Sequence, residues 1–143
     1  MLREFWEIVI VETPLSPPPV QFSAASGGVV DFYGVVRGHE EVDQIEGIFY
    51  ESHQEMARHQ LVLLAEEAAA LFPLHGLLIH HRIGRVPVAE PSLFLRVTAA
   101  HRGPAFEAAQ WIIGRLKEIV PIWKRPLPVT RDELSSPVGT PAY

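Results

Sequence analysis

Cysteine is absent from the chain, and lysine occurs only twice in 143 residues, at Lys117 and Lys124. The lack of cysteine excludes disulfides, thiolate metal sites and a cysteine nucleophile or persulfide carrier within this chain. The seven histidines include no HExxH spacing, and the neighbours His80 and His81 would point to opposite faces of a strand. We therefore expect no metal site.

The chain also lacks an apolar run near the roughly 20 residues that span a bilayer. The N-terminal segment MLREFWEIVIVETP is apolar, but acidic residues interrupt it and no small-residue cleavage site follows. It predicts a first strand rather than a signal peptide, so we expect no membrane segment and a cytoplasmic location. Neither a Gly-rich phosphate loop nor a Ser/His/Asp grouping typical of hydrolases is present.

Positive charge is scarce overall but concentrated in one stretch. The formal net charge is -5, yet residues 102–131 contain six Lys or Arg against two Asp or Glu, a local excess of +4. A cation cluster of this kind in an acidic protein indicates a small anionic ligand rather than a polyanion. We therefore expect no nucleic-acid partner.

The hydrophobic periodicity predicts a single α+β domain over residues 1–143, with two long helices and a mostly antiparallel sheet because the links between strands are short. Residues 1–26 combine the first strand with a Pro-rich connector, and residues 126–143 are expected to form an irregular tail. The predicted strands are 5–11, 27–36, 44–51, 76–84 and 92–100, and the predicted helices run from about 53 to 72 and from about 104 to 120.

Local patterns make five further predictions. Ser52 and Glu55 match a capping box that begins the first helix. His81, alone on an apolar strand face, is predicted to be a core histidine. Arg96 is predicted to point outward, and residues 84–91 are predicted to be a turn. The buried stripe of the first helix is expected to contain Ala57, Leu61, Leu64, Ala65, Ala68, Leu71 and Phe72.

The second helix begins with Pro104 at its first position, where a missing N–H costs nothing. Its expected apolar face consists of Phe106, Ala109, Ile112, Ile113, Leu116 and Val120. At about 100° per residue, Lys117 lies only about 20° from Phe106, at the edge of this face. Partial desolvation there would favour the neutral amine, which is a better nucleophile or base. The alternative is a lysine that extends its charge into solvent.

Four segments resemble the large, catalytic subunit of molybdopterin synthase: GGVVDFYGVVR (27–37), YESHQEM (50–56), HHRIGRVPVAE (80–90) and TAAHRGPAFEAAQWIIGRLKEIVPIWKR (98–125). The resemblance implies an α/β-hammerhead-like fold and a sulfurtransferase that converts cyclic pyranopterin monophosphate to molybdopterin. It also implies a small ubiquitin-like partner whose C-terminal Gly-Gly thiocarboxylate supplies the sulfur. Two large subunits would form a central homodimer with one small subunit at each end, a heterotetramer. The lack of cysteine fits sulfur that arrives on another protein.

The resemblance assigns roles residue by residue. Lys117 and Lys124 are similar to the two catalytic lysines of the family, with Lys117 beside the partner's tail. His101 and Arg102 are similar to its substrate contacts, and Arg37 would reach the same anion, in part from the neighbouring subunit. The implied pocket rim consists of Arg125, Val35, Val36 and Pro126. No cofactor or metal ion is implied.

The chain departs from the family pattern in several places. Val35 stands where a lysine is common, and Pro126 replaces a common acidic residue. The connector prolines cannot supply the helix that is often found before Gly27, and in the tail Arg131 is a candidate for the family's final arginine.

Two other functions remain open from the residues. One is a non-catalytic module that binds an anion, a nucleotide or RNA through the basic stretch. The other is an adaptor that binds a ubiquitin-like protein without giving a product.

Overall fold

A computed structural model describes residues 6–41, 43–129 and 140–141 of the chain. The described elements are β1 (Trp6–Val11), β2 (Gly28–Val35), β3 (His39–Glu40), β4 (Asp43–Ser52), α1 (Gln54–Leu71), β5 (Leu74–Arg82), β6 (Gly84–Pro87), β7 (Pro91–Ala99), α2 (Arg102–Ile119), β8 (Ile122–Pro128) and β9 (Thr140–Pro141). The α+β class with two long helices is confirmed.

The first sheet has the order β1-β5-β7-β2. Only β1 and β5 are parallel, and β7 is antiparallel to both of its neighbours. Side chains alternate between the two faces of each strand, so the inner face presents an aliphatic layer to the helices. Leu77, Ile79, Leu93, Leu95 and Val97 in this layer are fully buried. The prediction of a mostly antiparallel sheet is therefore confirmed.

The second sheet contains β3, β4, β8 and β9 in that order, and β6 also pairs with β4. β6 lies within the predicted turn at residues 84–91, and its pairing with β4 was not visible in the local sequence. The expected irregular tail is wrong at both of its described ends, because β8 continues to Pro128 and β9 pairs with Trp123 and Lys124. Arg131 lies outside the described residues.

The first helix starts one residue later than the capping box predicts. His53 is the N-cap, and its Nδ1 accepts a hydrogen bond of 3.4 Å from the Met56 amide. The Ser52 hydroxyl is instead buried without a partner among the described residues, because Ser52 is still part of β4 and faces inward. Leu71, predicted to be buried at the end of this helix, is 57% exposed.

The second helix is rotated relative to the predicted apolar face. Its buried residues are Ala105, Ala108, Ala109, Ile112 and Leu116. Phe106 is 61% exposed, so it does not belong to the core. Lys117 shares the side of the helix with Phe106, about 100° away from the buried stripe, and is exposed rather than partly desolvated. The predicted face is therefore correct for Ala109, Ile112, Leu116 and Val120 but wrong for Phe106, because small alanines, and not the large phenylalanine, fit against the sheet.

Arg96 on β7 is buried rather than outward in solvent, with 7% of its surface exposed. Its Nε and Nη2 donate to both carboxylate oxygens of Asp31 on β2, at 2.7 and 2.9 Å. Its Nη1 donates to the Pro18 carbonyl at 2.8 Å, so the same side chain ties the Pro-rich connector to the outer face of the first sheet. This bidentate pair explains how a charged residue is accommodated there.

Candidate active site

The predicted site residues fall into two groups at opposite ends of α2. The helix follows β7 directly and packs on β7 and β2. Because β7 is antiparallel to β2, a helix that reverses direction after β7 runs parallel to β2. The first turn of α2 therefore lies beside Gly28, and its last turn lies near Val35. Fifteen residues separate Arg102 from Lys117, which is about 22 Å along the helix.

One group consists of His101 and Arg102, which we call the arginine end. Both side chains are exposed. The start of β2 packs tightly against the backbone that leads into α2. A Cβ at Gly28 would lie 3.2 Å from the Arg102 Cα, and a Cβ at Gly27 would lie 2.5 Å from the Ala100 oxygen. The first turn carries no acidic residue, and His101 makes no side-chain capping bond. The backbone amides at the start of α2 and the Arg102 guanidinium together favour the binding of an anion.

The other group consists of Arg37, Lys117 and Lys124, which we call the lysine end. Arg37 follows β2 closely and is exposed, as is Lys117 near the end of α2. Lys117 forms no ion pair within the described part of the chain. Lys124 lies on β8, only seven residues after Lys117, and is linked to Glu40, three residues after Arg37. The structure thus ties Lys124 to the segment that follows Arg37, and only seven residues of chain separate it from Lys117.

Lys124 is held by a carboxylate. Its Nζ donates to both oxygens of Glu40, at 3.2 and 3.1 Å, and the two side chains are 25% and 21% exposed. Glu40 belongs to the polar GHEEVD segment that reads from the sequence as a loop. Since 84 residues separate the partners, no local sequence signal could have identified this pair.

Two of the predicted rim residues, Arg125 and Pro126, lie on opposite faces of the second sheet. Arg125 follows Lys124 in β8, so it points to the opposite face. There its guanidinium lies 5.1 Å from the Phe49 ring centroid and 3.8 Å from a Glu51 oxygen. Pro126 lies on the Lys124 face, opposite Ile48. Val36 is buried and Val35 is half exposed at the end of β2.

Behind Lys124, the second sheet contains buried polar groups. Tyr50 pairs with Lys124 across β4 and β8, and the Tyr50 hydroxyl accepts a hydrogen bond of 3.0 Å from Ser92. Burial raises the pKa of Tyr50. His81, edge-on to the Tyr50 ring, donates from Nδ1 to the Arg82 carbonyl at 2.8 Å. Burial lowers the pKa of His81 to about 4, which confirms the core histidine predicted from the sequence.

An apolar surface runs beside both ends. β2 is at the edge of the first sheet among the described strands. Phe32, Tyr33 and Val35 on this strand are 37%, 47% and 50% exposed, and Phe106 on the neighbouring helix is 61% exposed. An unpaired strand edge flanked by large apolar side chains is typical of a surface that another chain covers.

The described residues contain no group of three or more His, Asp or Glu side chains arranged to hold a metal ion. Neither of the two described helices is both long and apolar enough to cross a membrane.

Comparison with known proteins gives one consistent result. A family model described as MoaE protein matches residues 10–119. The molybdopterin synthase catalytic subunit of Pyrococcus abyssi is 41% identical over 103 residues, which cover 72% of this chain and 70% of that protein. The crystal structure of molybdopterin synthase from Staphylococcus aureus superimposes with a TM-score of 0.72 at 31% identity, covering 85% of this chain and 90% of that one.

A further solved structure has the same fold. It is the complex of subunits 1 and 2 of the molybdopterin-converting factor of Helicobacter pylori, which superimposes with a TM-score of 0.62 at 16% identity. The match covers 89% of this chain and 91% of that one.

Proposed function

Since the chain belongs to the MoaE family, we propose that it is the catalytic subunit of a molybdopterin synthase. In this proposal it transfers sulfur to cyclic pyranopterin monophosphate from the C-terminal thiocarboxylate of a small ubiquitin-like partner. The observation that carries the proposal is the contact of Lys124 with Glu40, which lies three residues after Arg37, together with an exposed Lys117 seven residues before Lys124.

The chemistry needs positive charge at two places. The substrate phosphate is an anion, and a guanidinium can bind it through two parallel hydrogen bonds, a role for Arg37 and Arg102. Sulfur transfer from a thiocarboxylate proceeds through tetrahedral intermediates whose oxygen becomes negative. Ammonium groups at Lys117 and Lys124 can stabilise this charge or donate a proton to it. Both sulfur atoms come from the partner, which is consistent with a chain that has no cysteine.

The separation of about 22 Å between the two ends is too large for one pterin phosphate to contact both within a single chain. A two-fold dimer through the β2 edge would solve this problem. Antiparallel pairing of two β2 strands places the arginine end of one chain beside the lysine end of the other. The exposed Phe32, Tyr33, Val35 and Phe106 provide apolar surface for such a dimer.

The small partner would bind at the lysine end. The solved Helicobacter pylori complex, which pairs two subunits of the molybdopterin-converting factor, supports a two-subunit assembly for this fold. A flexible Gly-Gly tail has no side chains to obstruct its entry, so it can reach Lys117 through a narrow opening. With one partner on each chain of the dimer, the assembly is a heterotetramer.

The test is a reconstituted assay with the purified chain, a thiocarboxylated partner and the cyclic pterin, read out as dithiolene formation. We expect Lys117→Ala to lower turnover at least 100-fold while the fold is kept, because an oriented charge is lost from the transition state. Arg115→Ala is the matched control, since Arg115 lies two residues away but pairs with Glu67 and Glu118. Near-normal turnover by Lys117→Ala would contradict the assignment.

Mixing two inactive variants in the same assay tests whether the site is shared. Lys117→Ala and Arg102→Ala should each be inactive alone, but a mixed dimer has one site with both ends intact. Random exchange of equal amounts should therefore restore about a quarter of wild-type activity. No recovery, with exchange shown by mass spectrometry, would mean that each chain contains a complete site. No product from any protein, wild type included, would favour the non-catalytic binding module instead.

A further inference from the structure

The contact between Glu40 and Lys124 joins two segments that lie 84 residues apart in the chain. We propose that Glu40 is a positioning residue that holds the Lys124 ammonium in its working place, an inference that rests on the function proposed above. Both carboxylate oxygens of Glu40 accept from the Lys124 Nζ, at 3.2 and 3.1 Å. Both side chains are mostly covered.

A lysine side chain needs such a restraint. Its four-carbon stem has many rotamers, and fixing them costs about 2 kcal/mol in conformational entropy. A catalytic group must lie within about 0.5 Å of its productive position to be fully effective. Two hydrogen bonds to one carboxylate fix the direction of two of the N–H bonds of Lys124, so this cost is met during folding rather than at each turnover.

The carboxylate itself is held by a tight hairpin. Glu40 pairs with Asp43, so only two residues form the turn between β3 and β4. Glu41 in this turn has φ of 57°, the left-handed conformation that such tight turns require. The Ile45 amide donates to the Gly38 carbonyl at 3.0 Å and closes the base of the hairpin. Lys124 is paired to the same β4 strand through Tyr50, so both partners are fixed to one element.

Two other carboxylates on β4 contact arginines. Glu46 lies 3.5 Å from Arg85, and Glu51 lies 3.8 Å from Arg125. Of these three carboxylates, Glu40 is the one that contacts the Lys124 Nζ. This contact also distinguishes the two lysines of the chain, since Lys117 has no carboxylate partner within the described residues. A fixed Lys124 can orient the substrate or its intermediate, while the exposed Lys117 is accessible to the incoming tail.

The first test compares Glu40→Gln with Glu41→Gln, which removes the same charge one residue away. We expect Glu40→Gln to lower kcat about tenfold with the pterin KM within about twofold of wild type, because a misplaced group weakens the transition state more than the ground state. In a Lys124→Ala background, Glu40→Gln should cause no further loss, because it acts through that lysine. Glu41→Gln should behave like wild type.

The second test does not depend on activity. With only two lysines in the chain, 13C labelling at lysine Cε gives two side-chain NMR signals, and Lys124→Ala assigns them. Glu40→Gln should shift and sharpen the Lys124 signal and leave that of Lys117 unchanged.

The contrary outcomes separate the two proposals. Wild-type kcat in Glu40→Gln, a higher kcat, or an equal fractional loss in the Lys124→Ala background would overturn the positioning role, as would an unchanged Lys124 signal. An inactive wild-type protein would overturn the proposed function, and with it the role of Glu40 in catalysis. An active wild type together with an unaffected Glu40→Gln variant would overturn the positioning role alone.

Discussion

The first sheet and the two ends of α2 contain the same kinds of side chain in opposite settings. Arg96 and His81 in the sheet are almost completely buried, and each has a defined hydrogen-bond partner. Arg102 and His101 at the arginine end are exposed. An arginine or histidine that stabilises the fold has its hydrogen bonds satisfied by the protein, whereas one available for a ligand does not. Residue type therefore says less about role than surroundings do.

The largest effect that separates the two settings should come from the arginines. Arg96→Met leaves Asp31 without its bidentate partner and frees the Pro18 carbonyl, and Asp31 is only 29% exposed. We expect a loss of about 2–3 kcal/mol in the free energy of unfolding, measured by urea denaturation. Arg102→Met should change it by less than about 0.5 kcal/mol while abolishing turnover. Equal losses in stability from the two variants would remove the distinction.

The histidines should separate in their pH dependence. Since the pKa of His81 is about 4 in the folded protein against an ordinary value of 6.5, the unfolded chain binds a proton that the folded chain does not between these values. Stability from this group is therefore complete above about pH 6.5 and falls as the pH is lowered, by about 2 kcal/mol at pH 5.

The measurement is the unfolding free energy of wild type, His81→Leu and His101→Leu at about pH 7.5 and pH 5. His81→Leu should lose most of this dependence on pH, and the exposed His101→Leu should retain it. If the unfolding free energy of His81→Leu depended on pH as strongly as that of wild type, the titration would belong to another group.

The smallest single effect should come from Phe106 on α2, and Leu116 on the same helix is the buried residue for comparison. Phe106→Ser should change the unfolding free energy by less than about 0.5 kcal/mol at a dilution where the chains are monomeric, because this ring is 61% exposed. Leu116→Ala, ten residues along and 1% exposed, should lose about 3 kcal/mol through the cavity it leaves. At higher concentration, Phe106→Ser should weaken self-association, measured by analytical ultracentrifugation. A large loss in the unfolding free energy of the monomeric Phe106→Ser variant would mean that Phe106 belongs to the core.

The sequence predicted most of the fold because the periodicity of each long element is a local property. Both helices and the five longest strands before β8 are found close to their expected limits. Errors arose where a distant contact decides the outcome. β6 is a strand because β4 lies beside it, and Arg96 on β7 can be buried because Asp31 lies opposite it on β2.

The candidate site was predicted unevenly for the same reason. The resemblance proposed Lys117, Lys124, His101 and Arg102 as site residues, but it could not show that the length of α2 separates Arg102 from Lys117. Helical periodicity placed Lys117 correctly beside Phe106, yet it could not tell that this side of the helix faces away from the sheet. Glu40 was missed altogether, since its partner lies 84 residues away and on a different element.

If two chains share their sites as proposed, the parallel course of α2 and β2 also determines how altered chains act in a mixed population. With equal numbers of intact and altered chains, each chain altered at one end would remove a single site from the pair it enters, so about half of the sites would survive. A chain altered at both ends would inactivate both sites of any pair it enters, and only about a quarter would survive. Two kinds of chain altered at different ends, present in equal numbers, would also leave about a quarter, so the two changes would be equally harmful on separate copies or together on one copy beside an intact one.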